Sequence, residues 1–474
     1  MSTPAAEVVH QQSELKRSIT GKQLYFYVVG DVLGSGIYVL VGLVAAAVGG
    51  AFWMAFLAGV AIAAITGLAY AELVTKYPQA AGASLYINHA FRSPLLTFFI
   101  TICMMAAQLA AVGSLAGGFA RYFGSLFTLP PALLVAILFV AVIAIVNYIG
   151  ITESVIINMI MTFVEVAGLI IVAIIAVIAI AQGSADFGAL TSFSAEGSPV
   201  LAIVAGVALA FFAMTGFENA ANVAEETIDP ARNFPRALVG GMIAAGVIYV
   251  VVAMSAALVV PIETLQAAND AGEPALLEVV AAGLLPAPVG LMIIIFSLIA
   301  MVAISNTTLV TMSAGARILY GMGKLDVVPR AFARVHPTRR SPVVALGFVL
   351  AVVAVLLVLG SVLTAAGGPD VVSRLASITV VFLVFVYALV IVCALKQRGK
   401  DEHPDVYRAS TPLLYLGILG NAVLLVYIVI DDPSSLLWVA GLLAVGLVLF
   451  VVQRARRGGQ PPLGADPTTA AKEL

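Results

Sequence analysis

Residues 28–42, VVGDVLGSGIYVLVG, are apolar enough to lie in a lipid bilayer, yet they contain four glycines and an aspartate. Glycine weakens a helix interior, and a charge is costly in hydrocarbon. Gly34 and Gly36 flank a serine, so the chain can leave helical geometry there without a Cβ clash. The sequence therefore predicts a membrane helix that is interrupted at residues 34–36.

Composition predicts a polytopic membrane protein. Hydrophobic residues make up 62% of the 474 and charged residues only 10%, whereas soluble domains carry roughly 25% charged residues. The net charge of −2 does not indicate a nucleic-acid partner. Both cysteines fall in apolar runs, and the four histidines fall in polar connections without metal-ligand spacing. We therefore expect no disulfide, no metal site and no cofactor.

Apolar runs between polar connections predict an all-α fold with twelve membrane-spanning helices. Their approximate limits are 23–49, 52–75, 94–124, 131–149, 154–182, 199–225, 237–260, 286–320, 342–364, 371–395, 412–430 and 435–453. Residues 1–21 lack the features of a signal peptide and are expected to be a retained cytoplasmic tail. Residues 454–474 are expected to be a disordered cytoplasmic tail.

The distribution of basic residues predicts the orientation. With the N-terminus inside, only Arg121 and Arg374 of the 23 Lys and Arg residues fall on the outer side. Basic residues favour the cytoplasmic side of a membrane. The protein is therefore predicted to lie in the cytoplasmic (plasma) membrane with both termini in the cytoplasm.

A second interruption lies in the sixth span, at AMTGFEN, residues 213–219. It follows the first interruption by 180 residues, and spans one and six cross the membrane in opposite directions. Interrupted helices at matching positions in two inverted halves are typical of secondary transporters. We predict a 5+5 inverted repeat, with residues 22–182 and 199–396 as its halves and residues 411–453 as two additional helices.

Two interrupted helices together suit a zwitterion. Exposed N–H groups at the start of a half-helix favour a carboxylate, and exposed carbonyls of the sixth span favour an ammonium group. An α-amino acid carries both. The alternative is that the glycines only allow close packing between helices.

Acidic residues inside predicted spans are candidates for proton carriers or cation ligands. They are Asp31 before the first interruption, Glu218 after the second, and Glu165 in the middle of span five. Four others, Glu72, Glu153, Glu225 and Glu226, lie near inner helix ends. These four are expected to extend to the surface or to pair there.

Four ordered motifs resemble the amino acid–polyamine–organocation transporter superfamily. They are GSGIYVLVG at 34–42, AYAELVTKYPQAAGASLYI at 69–87, FFAMTGFENAANVAEETIDPARNFPRAL at 211–238, and SAGARILYGMGKLDVVP at 313–329. The resemblance implies the leucine-transporter-type fold and transport by alternating access.

The resemblance also implies roles for individual residues. The substrate carboxylate would lie on the backbone of Ser35, Gly36 and Ile37. The ammonium would lie near the carbonyls of Phe212, Ala213 and Thr215, with Phe212 as an aromatic gate. Glu218 would couple the substrate site to the cytoplasmic half. Sodium-coupled relatives bind their ion at the positions of the Gly30 and Leu33 carbonyls and of hydroxyls near Ser305 and Thr308.

Two residues depart from the family pattern. Proton-coupled relatives often carry a lysine where this chain has Glu165, and the residue after Gly30 is usually neutral where this chain has Asp31. Either acid is expected to carry a proton or to raise the affinity for sodium or for a cationic substrate. The resemblance does not choose between these roles.

The sequence thus predicts an amino acid permease, in its simplest form a proton-coupled importer with Glu165, Asp31 and Glu218 as titrating groups. Phe212 and Met214 favour neutral or hydrophobic substrates. An amino acid or polyamine exchanger and a sodium symporter are the alternatives within transport. A membrane enzyme is not expected, because no histidine lies in a span. A channel is a third alternative, and the absence of counterflow would distinguish it from a carrier. The expected partners are the amino acid, a proton or sodium ion, and the bilayer.

Overall fold

The structure, a computed structural model, describes residues 17–128, 130–194, 198–271, 273–367, 371–400, 406–431, 433 and 435–456. Within these ranges the regular structure is helical, and no β-strand is present. The α-helices are α1 Gly21–Val48, α2 Trp53–Lys76, α3 Gly82–Phe91, α4 Pro94–Leu126, α5 Ala132–Ile149, α6 Ile151–Gln182, α7 Pro199–Met214, α8 Pro230–Val259, α9 Ile262–Asp270, α10 Leu276–Ala281, α11 Val289–Lys324, α12 Val343–Ala365, α13 Val371–Lys396, α14 Thr411–Asp431 and α15 Ser435–Arg456.

Eleven helical segments of the described chain are long and apolar enough to cross a membrane. They match the first eleven predicted spans, so a multi-pass helical membrane protein is confirmed. The twelfth predicted span falls on α15, whose apolar part, Val439–Val452, is shorter than the others. A count of twelve spans therefore stays a prediction. Residues 1–16 and 457–474, which include most of the predicted tails, lie outside the described residues.

The exposed surface of α5 shows how these helices meet lipid. Leu134, Leu138, Val142 and Ile145 are 46% to 60% exposed and recur every three or four residues, which places them on one face. Val135, Phe139, Val140 and Ile143 on the other face are buried. An exposed face that is apolar along the whole helix is suited to hydrocarbon rather than to water.

Helix α1 is interrupted at Gly34, within the predicted residues 34–36. Gly34 has non-helical dihedral angles, φ −19° and ψ −129°, inside an otherwise helical segment. Thr20 and Gln23 form a capping box at the start of the helix. Of the eleven segments, α1 has the largest buried share, because α6, α7, α8 and α11 pack around it.

The second interruption separates α7 from a 3-10 segment, Phe217–Glu226. Helix α7 ends at Met214, Thr215 is extended, and Gly216 has a φ of 120°, which favours glycine. A Cβ on Gly216 would lie 2.9 Å from Cγ of Asp31, and a Cβ on Gly36 would overlap the backbone of Ala213. The two interruptions therefore touch each other.

A buried ion pair joins the 3-10 segment Phe217–Glu226 to α11 at the end of the molecule that is predicted to be cytoplasmic. Glu226 accepts hydrogen bonds from Arg317 Nε at 2.6 Å and Nη2 at 3.1 Å, and the two side chains are 0% and 6% exposed. The backbone N–H groups of Ser18 and Ile19 donate to the carbonyl of Glu226. Glu72 is likewise buried and paired with Arg398. The prediction that Glu72 and Glu226 lie at the surface is wrong, because distant parts of the chain cover both.

Replacing Arg317 with methionine is expected to destabilise the protein by about 3–5 kcal/mol, because it leaves a buried carboxylate without its partner. The double variant Arg317→Met/Glu226→Gln should recover most of this loss. Thermal unfolding of the purified proteins measures both effects. A single variant as stable as the double variant would contradict the assignment.

Candidate functional site

A cavity lies where the two interruptions meet. Its wall comes from α1, α4, α7, the 3-10 segment, α11 and α13. Gly36, Phe212, Ala213 and Thr215 of the predicted substrate site line it, and the acids Asp31 and Glu218 do so as well. Ile37 is fully buried and is not among the lining residues. Ser35 lies on the α1 backbone beside Gly34, and its side chain is not among those described.

Met214 does not contribute to this wall either. It is buried and packs toward α2, where a Cβ on Gly59 would lie 3.5 Å from its Cγ. The wall instead carries the hydroxyl residues Thr307, Thr311 and Thr379. The apolar contribution of Met214 that favoured neutral substrates is therefore not found in the cavity.

The two interruptions present complementary backbone groups. The second half of α1 begins after Gly34, so the N–H groups of residues 35–37 form a helix N-terminus. On α7, the carbonyl of Phe212 accepts from Thr215 Oγ1 at 2.7 Å, and the carbonyl of Ala213 accepts from Tyr249 Oη at 2.8 Å. Backbone N–H donors of α1 and backbone carbonyl acceptors of α7 thus flank the cavity.

Tyr249 of α8 connects both interruptions. Besides Ala213, its hydroxyl is within hydrogen-bond reach of the carbonyls of Val32 and Leu33 on α1. Tyr249 was not predicted from the sequence. The only signal was a single hydroxyl in the apolar run AAGVIYVVVAM, residues 244–254, and hydropathy does not tell which face it occupies.

Asp31 is held by the amide of Asn219, which is held in turn by the amide of Gln108. The Asn219 side chain donates to Asp31 Oδ2 at 2.8 Å, and Gln108 donates to Asn219 Oδ1 at 2.9 Å. All three side chains are buried. Neither amide was predicted, because Gln108 and Asn219 lie 111 residues apart in sequence.

Glu218 caps the 3-10 segment. Its Oε2 accepts from the backbone N–H of Gly216 at 2.8 Å, an arrangement that stabilises a helix N-terminus. The aromatic rings of Tyr70, Phe217 and Tyr387 pack against one another beside it. Glu218 thus lies between the cavity and an aromatic layer.

Glu165 of α6 lies in a separate polar cluster, beside the first half of α1. The Asn306 amide is within hydrogen-bond reach of Glu165 Oε2 at 3.3 Å, Thr162 Oγ1 at 3.0 Å and the Gly30 carbonyl at 3.4 Å. Asn158 donates to Asn306 Oδ1 at 2.7 Å. Glu165 is fully buried, and Oε1 has no hydrogen-bond partner in the part of the chain that is described.

The groups of the predicted ion site have other partners. The Gly30 carbonyl faces Asn306 and the Leu33 carbonyl faces Tyr249. Ser305 and Thr308 donate to carbonyls of their own helix, at 2.7 and 2.6 Å. Among the described residues, no group of three or more His, Cys, Asp or Glu side chains has the arrangement of a metal site.

The chain matches one protein family and is similar to several known transporters. Residues 19–452 match the amino acid permease family. The branched-chain amino acid permease BcaP of Bacillus subtilis (strain 168) is 26% identical over 357 residues, which cover 71% of this chain and 73% of the relative. Cationic amino acid transporter 9, chloroplastic, of Arabidopsis thaliana is 25% identical over 65% of this chain and 56% of the relative. The methylthioribose transporter of Bacillus subtilis (strain 168) is 24% identical over 70% of this chain and 72% of the relative.

The family match covers all of the interrupted helices and the cavity between them. The family is one of transporters rather than of enzymes, and its description names amino acids as what it transports. The chain therefore belongs to the amino acid permease family of the amino acid–polyamine–organocation superfamily.

Proposed function

We propose that this protein is a secondary active amino acid importer of the cytoplasmic membrane, coupled to protons and working by alternating access. The observation that carries the proposal is the contact between the two interrupted helices around a polar cavity. Half-helix termini bind the charged groups of substrates in secondary transporters. The excess of basic residues on one side supports cytoplasmic termini.

Glu165 is the proposed proton carrier. A carboxylate buried without a cationic partner is costly, and a bound proton removes that cost. Glu165 shares the Asn306 amide with the Gly30 carbonyl, so its charge bears directly on the half of α1 that precedes the interruption. Asp31 and Tyr38 of α1 and Tyr249 of α8 are among the ionisable side chains near Glu165.

Sodium coupling has less support at this position. The Asn306 N–H group faces the Gly30 carbonyl, and a donor there competes with a cation. Exchange remains the second candidate within transport. The relatives' printed names include branched-chain amino acids, cationic amino acids and methylthioribose, so family membership leaves the substrate open.

Transport by the purified protein in liposomes tests this proposal. Counterflow of labelled amino acids into substrate-loaded vesicles should be measurable, and an inward proton gradient should drive accumulation without internal substrate or sodium. Accumulation that requires internal substrate would establish an exchanger, and accumulation that requires sodium would establish a sodium symporter. No counterflow with any amino acid would overturn amino acid transport itself.

A further inference from the structure

The connection between α11 and α12 carries charge of one sign on its surface. Residues 325–342, here named the basic loop, lie at the end of the molecule that is predicted to be cytoplasmic. The only acid of the loop is Asp326, and its arginines, all of them exposed, are Arg330, Arg334, Arg339 and Arg340. Asp326 faces Arg330 at 3.6 Å, and the Arg330 side chain remains 66% exposed. The surface of the loop is therefore positively charged.

The first half of the basic loop packs on the outer face of α12. Phe332, in the 3-10 turn Arg330–Ala333, contacts Phe348 of α12 edge-to-face, with ring centroids 5.2 Å apart. Phe348 is 39% exposed, and Val344, one turn earlier on α12, is 38% exposed. An exposed apolar face of a membrane helix is suited to lipid. The 3-10 turn therefore lies beside the place where α12 meets the lipid surface.

The second half of the basic loop is tied to the end of α5. The backbone N–H of His336 donates to the Ser341 carbonyl at 2.9 Å, and that of Arg340 donates to the His336 carbonyl at 2.9 Å. Ser341 Oγ donates to the Tyr148 carbonyl at 3.0 Å, and the His336 ring is 3.2 Å from Tyr148 Oη. Ile145, three residues before Tyr148, is 60% exposed. The turn that carries Arg340 is thus held beside a second lipid-facing helix.

Positive charge at the edge of an apolar surface suits an anionic phospholipid. A guanidinium group can donate two parallel hydrogen bonds to a phosphate, and basic residues beside a membrane span attract anionic lipids. A soluble anion would use the same charge, but it would leave the exposed side chains of Val344 and Phe348 without a partner. A lipid supplies a phosphate to the loop and acyl chains to α5 and α12 at once.

We propose that the basic loop binds the headgroups of anionic phospholipids, with Arg334 and Arg339 as ligands of the phosphate. Among the described residues, neither side chain forms an ion pair, so both guanidinium groups face the surrounding medium. The contacts of Phe332 with α12 and of Ser341 with α5 fix the loop before a lipid arrives, which reduces the cost of ordering it on binding. The inference is independent of the proposed function, because it involves neither the substrate nor the coupling ion.

Thermal unfolding of the purified full-length protein in neutral detergent tests the proposal. Phosphatidylglycerol and phosphatidylcholine with identical acyl chains are added in increasing amounts, so that only the headgroup differs. Because a ligand that binds the folded state stabilises it, phosphatidylglycerol should raise the unfolding temperature at a lower concentration than phosphatidylcholine does. At about 1 M salt, where the Debye length is about 3 Å, most of this difference should disappear.

Two double variants locate the effect. Arg334→Gln/Arg339→Gln should need at least about tenfold more phosphatidylglycerol for the same rise in unfolding temperature, because each basic residue near a membrane surface strengthens the attraction. Its response to phosphatidylcholine should be unchanged. The matched control, Arg232→Gln/Arg236→Gln, removes two exposed arginines of α8 on the same predicted side. It should respond as the wild type does. Comparing the two lipids within each variant cancels any general change in stability.

Three outcomes would overturn the proposal. Equal stabilisation of the wild-type protein by the two lipids would show that the headgroup is not recognised. An equal loss in the control variant would show that the total charge of this side, rather than the basic loop, attracts the lipid. Stabilisation by inorganic phosphate as large as that by phosphatidylglycerol would identify a site for a soluble anion. Counterflow of amino acids is measured separately, so failure of the proposed function would leave this result unaffected.

Discussion

Valine in place of Gly36 is expected to eliminate substrate binding and uptake while the protein still inserts into the membrane. The added Cβ would overlap Cα and Cβ of Ala213, and backbone atoms cannot move aside as a flexible side chain does. Relief requires α1 and α7 to separate at the point where the two interruptions meet. Overpacking of this kind costs about 1–3 kcal/mol of folding stability, so the variant can still fold and insert while the backbone N–H groups of the substrate site are displaced.

Gly124 supplies a matched control. It also lies in a membrane-spanning helix, α4, but a Cβ there would meet nothing within 4 Å. Gly124→Val should therefore bind and transport at the wild-type level. Membrane fractionation and gel filtration compare insertion and folding, and thermal shift with uptake compares function. Normal uptake by correctly inserted Gly36→Val protein would show that the contact between α1 and α7 is not part of the substrate site.

The interruptions were predictable because the constraint that produces them is local. Glycine is needed where the backbone departs from helical geometry, so the motifs around Gly34 and Gly216 specify the positions without knowledge of the fold. The spans were predictable for a similar reason, since crossing hydrocarbon requires an uninterrupted apolar run. Span five, for example, was predicted at 154–182 and is part of α6, Ile151–Gln182.

The polar partners were not predictable because they come from distant parts of the chain. Glu226 pairs with Arg317 91 residues later, and Glu72 pairs with Arg398 326 residues later. From sequence each acid was only a charge near a helix end. The same holds for Asn219, which joins Asp31 across 188 residues. A single sequence shows which residues are polar inside the membrane and does not show which of them meet.

The predicted ion site illustrates a third limit. Gly30, Leu33, Ser305 and Thr308 were chosen from the resemblance, by position. Their partners in the structure depend on Asn306 and Tyr249, two residues that the resemblance did not single out. The side chains next to a backbone carbonyl decide what that carbonyl can bind, and this is why the coupling ion has to be measured.

Glu165→Gln is expected to abolish accumulation driven by a proton gradient while exchange continues. Glutamine has the shape of glutamate and keeps an oxygen for the Asn306 amide, which lies 3.3 Å from Oε2, so the contact with α1 survives. What it loses is the ability to bind and release a proton. A gradient of one pH unit supplies about 1.4 kcal/mol per proton, or about tenfold accumulation. This ratio should fall to about one in the variant.

Exchange supplies the measurement that separates coupling from structure. Counterflow in Glu165→Gln should remain within about twofold of the wild type, because the substrate site at the two interruptions is unchanged. Glu263→Gln, at an exposed position of α9, should retain both activities. A variant that loses both accumulation and counterflow would indicate a structural role for Glu165. Unchanged accumulation would move the proton to Asp31 or Glu218, and the variants Asp31→Asn and Glu218→Gln would decide between them.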